Sequence, residues 1–174
     1  NCRNIQLKNV VIDSDRPFYS EGVIEDCGTD FFDIRIEKEK FPYRVENSSI
    51  IFFSDTWQQN LNEGINLFME YDGFLRRPAY NSILTIAVCG QDAKIDERSP
   101  IPEEVYMVEE LENGCVRFRG NVSPTLRKGN IMTITHERRE NSSIFCTECV
   151  GLDFENVEIV HSGSMGIVCQ LCGD

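Results

Sequence analysis

Two cysteine pairs are the first residues in this chain whose type and spacing could do chemistry. Cys146-Thr-Glu-Cys149 and Cys169-Gln-Leu-Cys172 are separated by nineteen residues, the C-x2-C…C-x2-C pattern with which four thiolates close a tetrahedral zinc site. His161 stands in Val160-His-Ser-Gly-Ser-Met-Gly166, a corner of small residues where backbone can approach a ligand closely. Asp13 heads the polar segment Asp13-Ser-Asp15, either as a carboxylate for chemistry or as a turn former bonding nearby amides. Arg138 and Arg139 lie in His136-Glu-Arg-Arg-Glu. They are solvated or paired with the neighbouring glutamates, or one of them, Arg139 by preference, holds a substrate hydroxyl or a domain-bridging carboxylate.

The elements that must position these groups are written as a repeat. Cys2-Arg-Asn-Ile-Gln-Leu-Lys-Asn-Val-Val-Ile12 and Cys149-Val-Gly-Leu-Asp-Phe-Glu-Asn-Val-Glu-Ile159 share Cys, two alternating apolar residues, Asn-Val and Ile at identical offsets. Alternation is the period of a strand with one buried face, and Asn9 and Asn156 interrupt it before it resumes. A short strand, a polar bend and another strand, repeated, is the pattern of a parallel β-helix, whose units bury their apolar faces by stacking on one another. Asp13 aligns with Val160, so Asp13 and His161 are expected at comparable edges of the stack.

The cysteines set the repeat length. Cys172 follows Cys149 by 23 positions, Cys169 follows Cys146 by 23, and Cys27 follows Cys2 by 25. Val23, Phe145 and Val168 each precede an aligned cysteine by four residues. After Cys27 the pattern continues through Phe32, Ile34 and Ile36, one residue short, so the register is expected to slip once there. This repeat explains the cysteine column without a metal. Zinc held by Cys146, Cys149, Cys169 and Cys172 is the alternative, and the preferred expectation is a ladder of buried thiols with no cofactor. Disulfides are disfavoured because adjacent strands lie about 4.8 Å apart, whereas bridged Cβ atoms want about 3.8 Å.

Composition bounds the rest. Hydrophobic residues make up 41% of the chain, enough for a core, and the formal charge is −12. That charge works against nucleic acid, where affinity rests on Lys and Arg, and against polyuronates; neutral sugars stay open. No run of eighteen apolar residues is present to span a membrane. Asn-Cys-Arg-Asn begins inside the repeat and Cys172-Gly-Asp174 stops where the next strand should start, so the chain is expected to be a fragment whose exposed coil ends can self-associate.

From Glu37 the repeat disappears for about a hundred residues. Ile50-Ile-Phe-Phe53 reads as a buried strand, Glu112-Asn113-Gly114 as a hairpin turn between 105–111 and 115–119, and Ile131–Thr135 as another strand. Residues 65–69 could make a turn or two of helix, and Trp57 is expected in a core or domain contact. The expectation is all-β: residues 1–37 and 137–174 form parallel β-helix coils, and residues 38–136 an inserted, small antiparallel barrel-like domain.

Several motifs together resemble one family. Asn156-Val-Glu-Ile-Val-His-Ser-Gly-Ser-Met-Gly-Ile-Val-Cys-Gln170 is similar to a coil of the alpha-1,3-galactosidases of glycoside hydrolase family 110. Ile12-Asp13, Pro17-Phe18, Gly22 and Phe41-Pro42-Tyr43 resemble that family's lead-in to an inserted β-barrel, and Gly129-Asn130, His136 and Arg139 its exit. Ser164 replaces the second glycine of the family's corner. The resemblance implies a right-handed β-helix, a secreted or periplasmic enzyme, metal-independent inverting removal of terminal α-1,3-linked galactose from a neutral glycan, and Gln170 as a further substrate contact. The family's catalytic aspartates belong to coils beyond the Met-Gly corner, and nothing here matches their motif. The chain alone is therefore expected to be inactive. A non-catalytic β-helix that binds glycans or mediates surface interactions is the alternative.

Overall fold

The computed structural model describes residues 2–13, 19–54, 57–60, 66–93, 103–135, 142–162 and 165–173. They fall in two compact units, residues 1–18 with 138–174 and residues 19–137. Every regular element among the described residues is a β-strand.

In the first unit β1 (Arg3–Asp13) pairs in parallel with β13 (Val150–Val160), from Arg3 beside Val150 to Asp13 beside Val160. This is the offset of the sequence repeat, residue for residue. β12 (Ile144–Thr147) pairs in parallel with β14 (Ile167–Gln170), Cys146 beside Cys169, and Val150 bridges to Gly173. Both are the 23-residue offset.

The bends repeat as faithfully as the strands. Asn9 and Asn156 adopt φ of 53° and 51°, and Asn4 stacks beside Gly151 with φ of 54° and 68°. Asparagine is among the few non-glycine residues that visit this left-handed region readily. The Asn156 Nδ2 amide donates to Asn9 Oδ1 at 2.8 Å, so the same side chain that permits each bend also ties it to the next. Replacing Asn156 with alanine removes that bond and the left-handed tolerance together. It is expected to destabilise this unit by about 2 kcal/mol, read as faster amide exchange across β1 and β13 with the barrel amides unchanged.

The second unit is a closed barrel of seven strands in the order β10-β3-β2-β11-β7-β8-β9, with β2 at Tyr19–Cys27, β3 at Phe31–Ile36, β7 at Asn66–Tyr71, β8 at Pro78–Cys89, β9 at Glu103–Glu110, β10 at Val116–Arg119 and β11 at Ile131–Thr135. A three-stranded sheet of β4 (Tyr43–Glu46), β5 (Ser49–Ser54) and β6 (Trp57–Asn60) accompanies it. The expected strands at Ile50–Phe53 and Ile131–Thr135 are β5 and β11. The hairpin at Asn113-Gly114 joins β9 to β10, with Gly114 at φ 77° and the Leu111 amide donating to the Cys115 carbonyl at 2.8 Å.

Three expectations are corrected. Residues 19–36 are not a helix coil: β2 pairs antiparallel with β3 and β11, so the first unit's leading segment closes at residue 18, and Cys27 does not join the Cys2 column. Period-two alternation fits a barrel wall as well as a coil, and partner choice decided between them. The residues buried along β2 are Ser20, Gly22 and Ile24. Gly22 has no room for a side chain, since a Cβ there would lie 2.3 Å from Ile34 Cγ2 and 2.7 Å from the Arg35 carbonyl. The slip expected in a coil after Cys27 is not what occurs; the irregularity is a bulge between Ile24 and Asp26 in the antiparallel β2–β3 pair. Secondly, the barrel is not purely antiparallel, because β8 and β9 run parallel. Thirdly, residues 66–69 lie in strand β7, not in a helical turn. Residue 65 and the Trp57 side chain lie outside the described residues.

The barrel interior is aromatic. Phe32 stacks on Phe118 at 5.0 Å with the rings 7° apart, and Phe68 meets both edge-on. Cys89 is wholly buried in the same core, and that burial pushes its thiol far above the ordinary value of 9.0. Tyr106 is raised above 10.0, by burial first and then by Glu104. Folded Cys89 therefore keeps its proton where the unfolded chain loses it. The unfolded state binds fewer protons above pH 9, so stability is retained below that pH and falls as pH rises past it. The loss should approach about 1.4 kcal/mol per pH unit for Cys89, with Tyr106 adding to it at higher pH. Urea midpoints between neutral and strongly alkaline pH should show the decline, and Cys89→Ala should flatten its first part.

Candidate functional site

The parallel register delivers Asp13 and Val160 side by side at the ends of β1 and β13. The next residue, His161, turns through φ 53°. This brings its Nδ1 to 2.9 Å from Asp13 Oδ1, with both side chains about half exposed. The carboxylate orients the imidazole and leaves Nε2 facing away from the bond, able to donate to or accept from a ligand hydroxyl. Below the pair the corner is layered by serines: Ser143 Oγ donates to Ser162 Oγ at 2.9 Å, and Ser162 Oγ to the Met165 carbonyl at 3.2 Å. An exposed pair of this kind adds little to stability; its consequence is a fixed ring orientation.

Gln170 sits elsewhere in the same unit, on the β12–β14 sheet beside Thr147, its carbonyl accepting from the Glu148 amide at 2.9 Å. Its side chain is not part of the Asp13–His161 pair. His136, Arg138, Arg139, Asp15, Pro17, Phe18, Gly163, Ser164 and Asp174 lie outside the described residues. Two further carboxylates, Asp33 and Glu25, serve the barrel. Asp33 is buried and accepts from Arg117 Nε at 2.6 Å and Nη2 at 2.7 Å, while Glu25 pairs with Arg35 at 2.9 Å.

The four cysteines of the two Cys-x-x-Cys pairs are free thiols; Cys146 and Cys169 hydrogen-bond each other, while the other two turn to backbone. Cys149 Sγ donates to the Thr147 carbonyl and Cys172 Sγ to those of Cys146 and Gln170. Among the described residues no group of three or more His, Cys, Asp or Glu side chains converges as a metal site would require. Stacking in register accounts for the nearness of Cys146 and Cys169 without a metal. The buried ladder is corrected as well: Cys149 alone of the four is buried, while Cys169 is exposed, as is Cys2.

Sequence reasoning passed over Glu70, which has no exposed surface. Its Oε1 accepts from the Arg127 amide at 3.0 Å and from Asn130 Nδ2 at 2.7 Å, while Oε2 has no partner among the described residues. The signal was available, since Glu70 shares the inward period with Phe68. It passed over Glu104, Asn121 and Ser123 too; these line a cavity in the barrel unit, and no local pattern marks them.

Comparison with known proteins fits both ends of this description. The family model GLAA-B beta-barrel domain I matches residues 20–132, the barrel unit nearly from edge to edge. Alpha-1,3-galactosidase A of Shewanella woodyi is 29% identical over 170 residues, covering 96% of this chain and 25% of the relative. Alpha-1,3-galactosidase B of Bacteroides thetaiotaomicron is 24% identical over 174 residues, covering 98% and 25%. Alpha-1,3-galactosidase A of Bacteroides fragilis is 20% identical over 170 residues, covering 98% and 25%. The chain spans about a quarter of the length of the curated relatives it matches. With a barrel whose limits coincide with the matched model, and with similarity running along nearly all of the chain, this protein belongs to the GLAA-B beta-barrel domain I family and resembles a fragment of the alpha-1,3-galactosidases.

Proposed function

We propose that this chain is part of an inverting, exo-acting alpha-1,3-galactosidase, in which the first unit supplies coils of a right-handed parallel β-helix and one wall of the sugar site. The observation that carries the reading is the stacking of that unit. Parallel strands keep a constant register, the Asn9–Asn156 amides join in a ladder, and the chain is similar along its length to proteins bearing that name. Stacked coils suit glycoside chemistry. Carboxylates on adjacent strands stand about 4.8 Å apart and on alternate strands about twice that, which spans the roughly 6.5–9.5 Å that an inverting acid and base require around a water. Asp13 has Val160 as its neighbour, so the β1–β13 register pairs Asp13 with no second carboxylate, and in this reading the chain alone is inactive.

In this reading His161, oriented by Asp13, presents Nε2 to a galactose hydroxyl, with Gln170 and Arg139 as further contacts. The substrate is a neutral glycan ending in α-1,3-linked galactose, consistent with the charge of −12. The enzyme is secreted or periplasmic, and the chain binds neither nucleic acid nor membrane. The exposed Phe145, Ile167 and Leu171 offer this unit an apolar surface for self-association.

The chain extended through its downstream sequence should release galactose from an α-1,3-linked disaccharide, with the β-anomer appearing first by proton NMR, while the 174-residue chain should release none. His161→Ala in the extended protein should lower kcat/KM roughly tenfold. An extended, folded protein that binds the disaccharide without cleaving it would instead support the glycan-binding module.

A further inference from the structure

The barrel unit holds a cavity of about 260 Å3 that the galactosidase reading does not use. That is the liquid share of roughly nine waters, room for one six-membered sugar ring and little more. Its inner wall is the rigid part of the core. Tyr106 packs edge-on against Phe32 at 5.4 Å and lies 5.6 Å from Phe68, so the wall cannot fold inward to fill the space. Leu84 and Val122 extend the apolar lining. Tyr106 Oη donates to the Asn121 carbonyl at 2.8 Å, and its raised pKa keeps that donor protonated. The segment carrying the polar lining is thereby held in place. A second clamp is the Ser123 hydroxyl, bonded to Thr125 Oγ1 at 2.8 Å.

The polar side is where a ligand would be read. Glu104 Oε1 accepts one hydrogen bond, from Asn121 Nδ2 at 3.0 Å. A carboxylate offers about four acceptor sites and an amide nitrogen two donors, so the pair retains capacity for a ligand. A carboxylate that can take two neighbouring hydroxyls, an amide donor and a serine hydroxyl, facing an apolar wall, complements a ring with hydroxyls on its edge and C–H groups on its face. Among the described residues that line the cavity none is Lys, Arg or His, so the negative charge of Glu104 is uncompensated there and an anionic sugar is disfavoured.

We propose that this cavity is a non-catalytic binding site for a single neutral pyranose, read by Glu104, Asn121 and Ser123 over the Tyr106–Phe32–Phe68 wall. The site stands or falls independently of the glycosidase reading, because its residues belong to the barrel unit and its readout is binding.

The test is an amide NMR titration of the 174-residue chain with methyl α-galactoside, methyl β-glucoside, galacturonate and tetramethylammonium, each added alone. Saturable shifts centred on Glu104, Asn121 and Ser123 are expected with the neutral glycosides, and binding at least tenfold weaker with galacturonate. Glu104→Gln, which keeps shape and the bond to Asn121, should weaken neutral-sugar binding roughly tenfold. Leu84→Trp, which fills the cavity, should abolish it; should that variant not fold, Glu104→Gln remains decisive. A dispersed spectrum with no saturable shifts from neutral glycosides would overturn the proposal. So would tighter binding of tetramethylammonium, which would mark an aromatic–carboxylate cation pocket, or a Glu104→Gln variant that binds as the parent does.

Discussion

Phe118→Ala should cost the barrel about 3–5 kcal/mol, a large fraction of what holds any domain of this size folded. Phe118 is fully buried, stacked on Phe32 and met edge-on by Phe68 and Tyr106. Its truncation removes the largest apolar surface on β10 and opens a cavity that neighbours locked in a closed barrel cannot relax to fill. Geometry adds to area here, since aromatic pairs contribute about 0.5–1.5 kcal/mol beyond burial. A double-mutant cycle with Phe32→Leu should therefore show coupling between the two rings. The measurement is urea unfolding followed by barrel amides. A loss below about 1 kcal/mol would mean the ring cluster is not the core of the unit.

Glu70→Ala should cost about 2–4 kcal/mol, whereas Glu70→Gln should stay within about 1 kcal/mol of the parent. Glu70 Oε1 is the shared acceptor for the Arg127 amide and Asn130 Nδ2. Asn130 in turn accepts from the Ile24 amide through its carbonyl at 2.9 Å and from the Gly73 amide through Oδ1 at 3.4 Å. One buried carboxylate thus joins β2, the turn after β7 and the entry to β11. The two turns approach so closely that a Cβ on Gly73 would lie 2.1 Å from the Gly129 carbonyl. Alanine leaves two part-buried donors without their shared acceptor. Glutamine keeps the acceptor and exchanges only the unpartnered oxygen. Urea midpoints rank the variants, and exchange of the Arg127 amide localises the effect. Equal losses for alanine and glutamine would show that charge, not the shared acceptor, is what the site needs.

The register of the first unit was legible in the chain alone. Cys, Asn-Val and Ile recur at one offset because stacked strands must place like beside like, and an asparagine that makes the same left-handed bend in each layer cannot drift. Asn113-Gly114 likewise specified its hairpin, since Gly114 takes the φ of 77° that a Cβ disfavours and Asn113 Oδ1 accepts from the Cys115 amide. Other features depended on partners that no local pattern names. Tyr19–Ile36 alternates as a coil would, and only pairing with β11 and β10 assigns it to the barrel. The parallel β8–β9 pair, the buried Glu70, and the meeting of Glu104 with Asn121 across seventeen residues arise from strand order. Sequence determines which residues can face inward and where the backbone can bend, because those are properties of one residue and its neighbours; which strand lies alongside is a free-energy comparison over the whole chain, and the tertiary structure alone records its outcome.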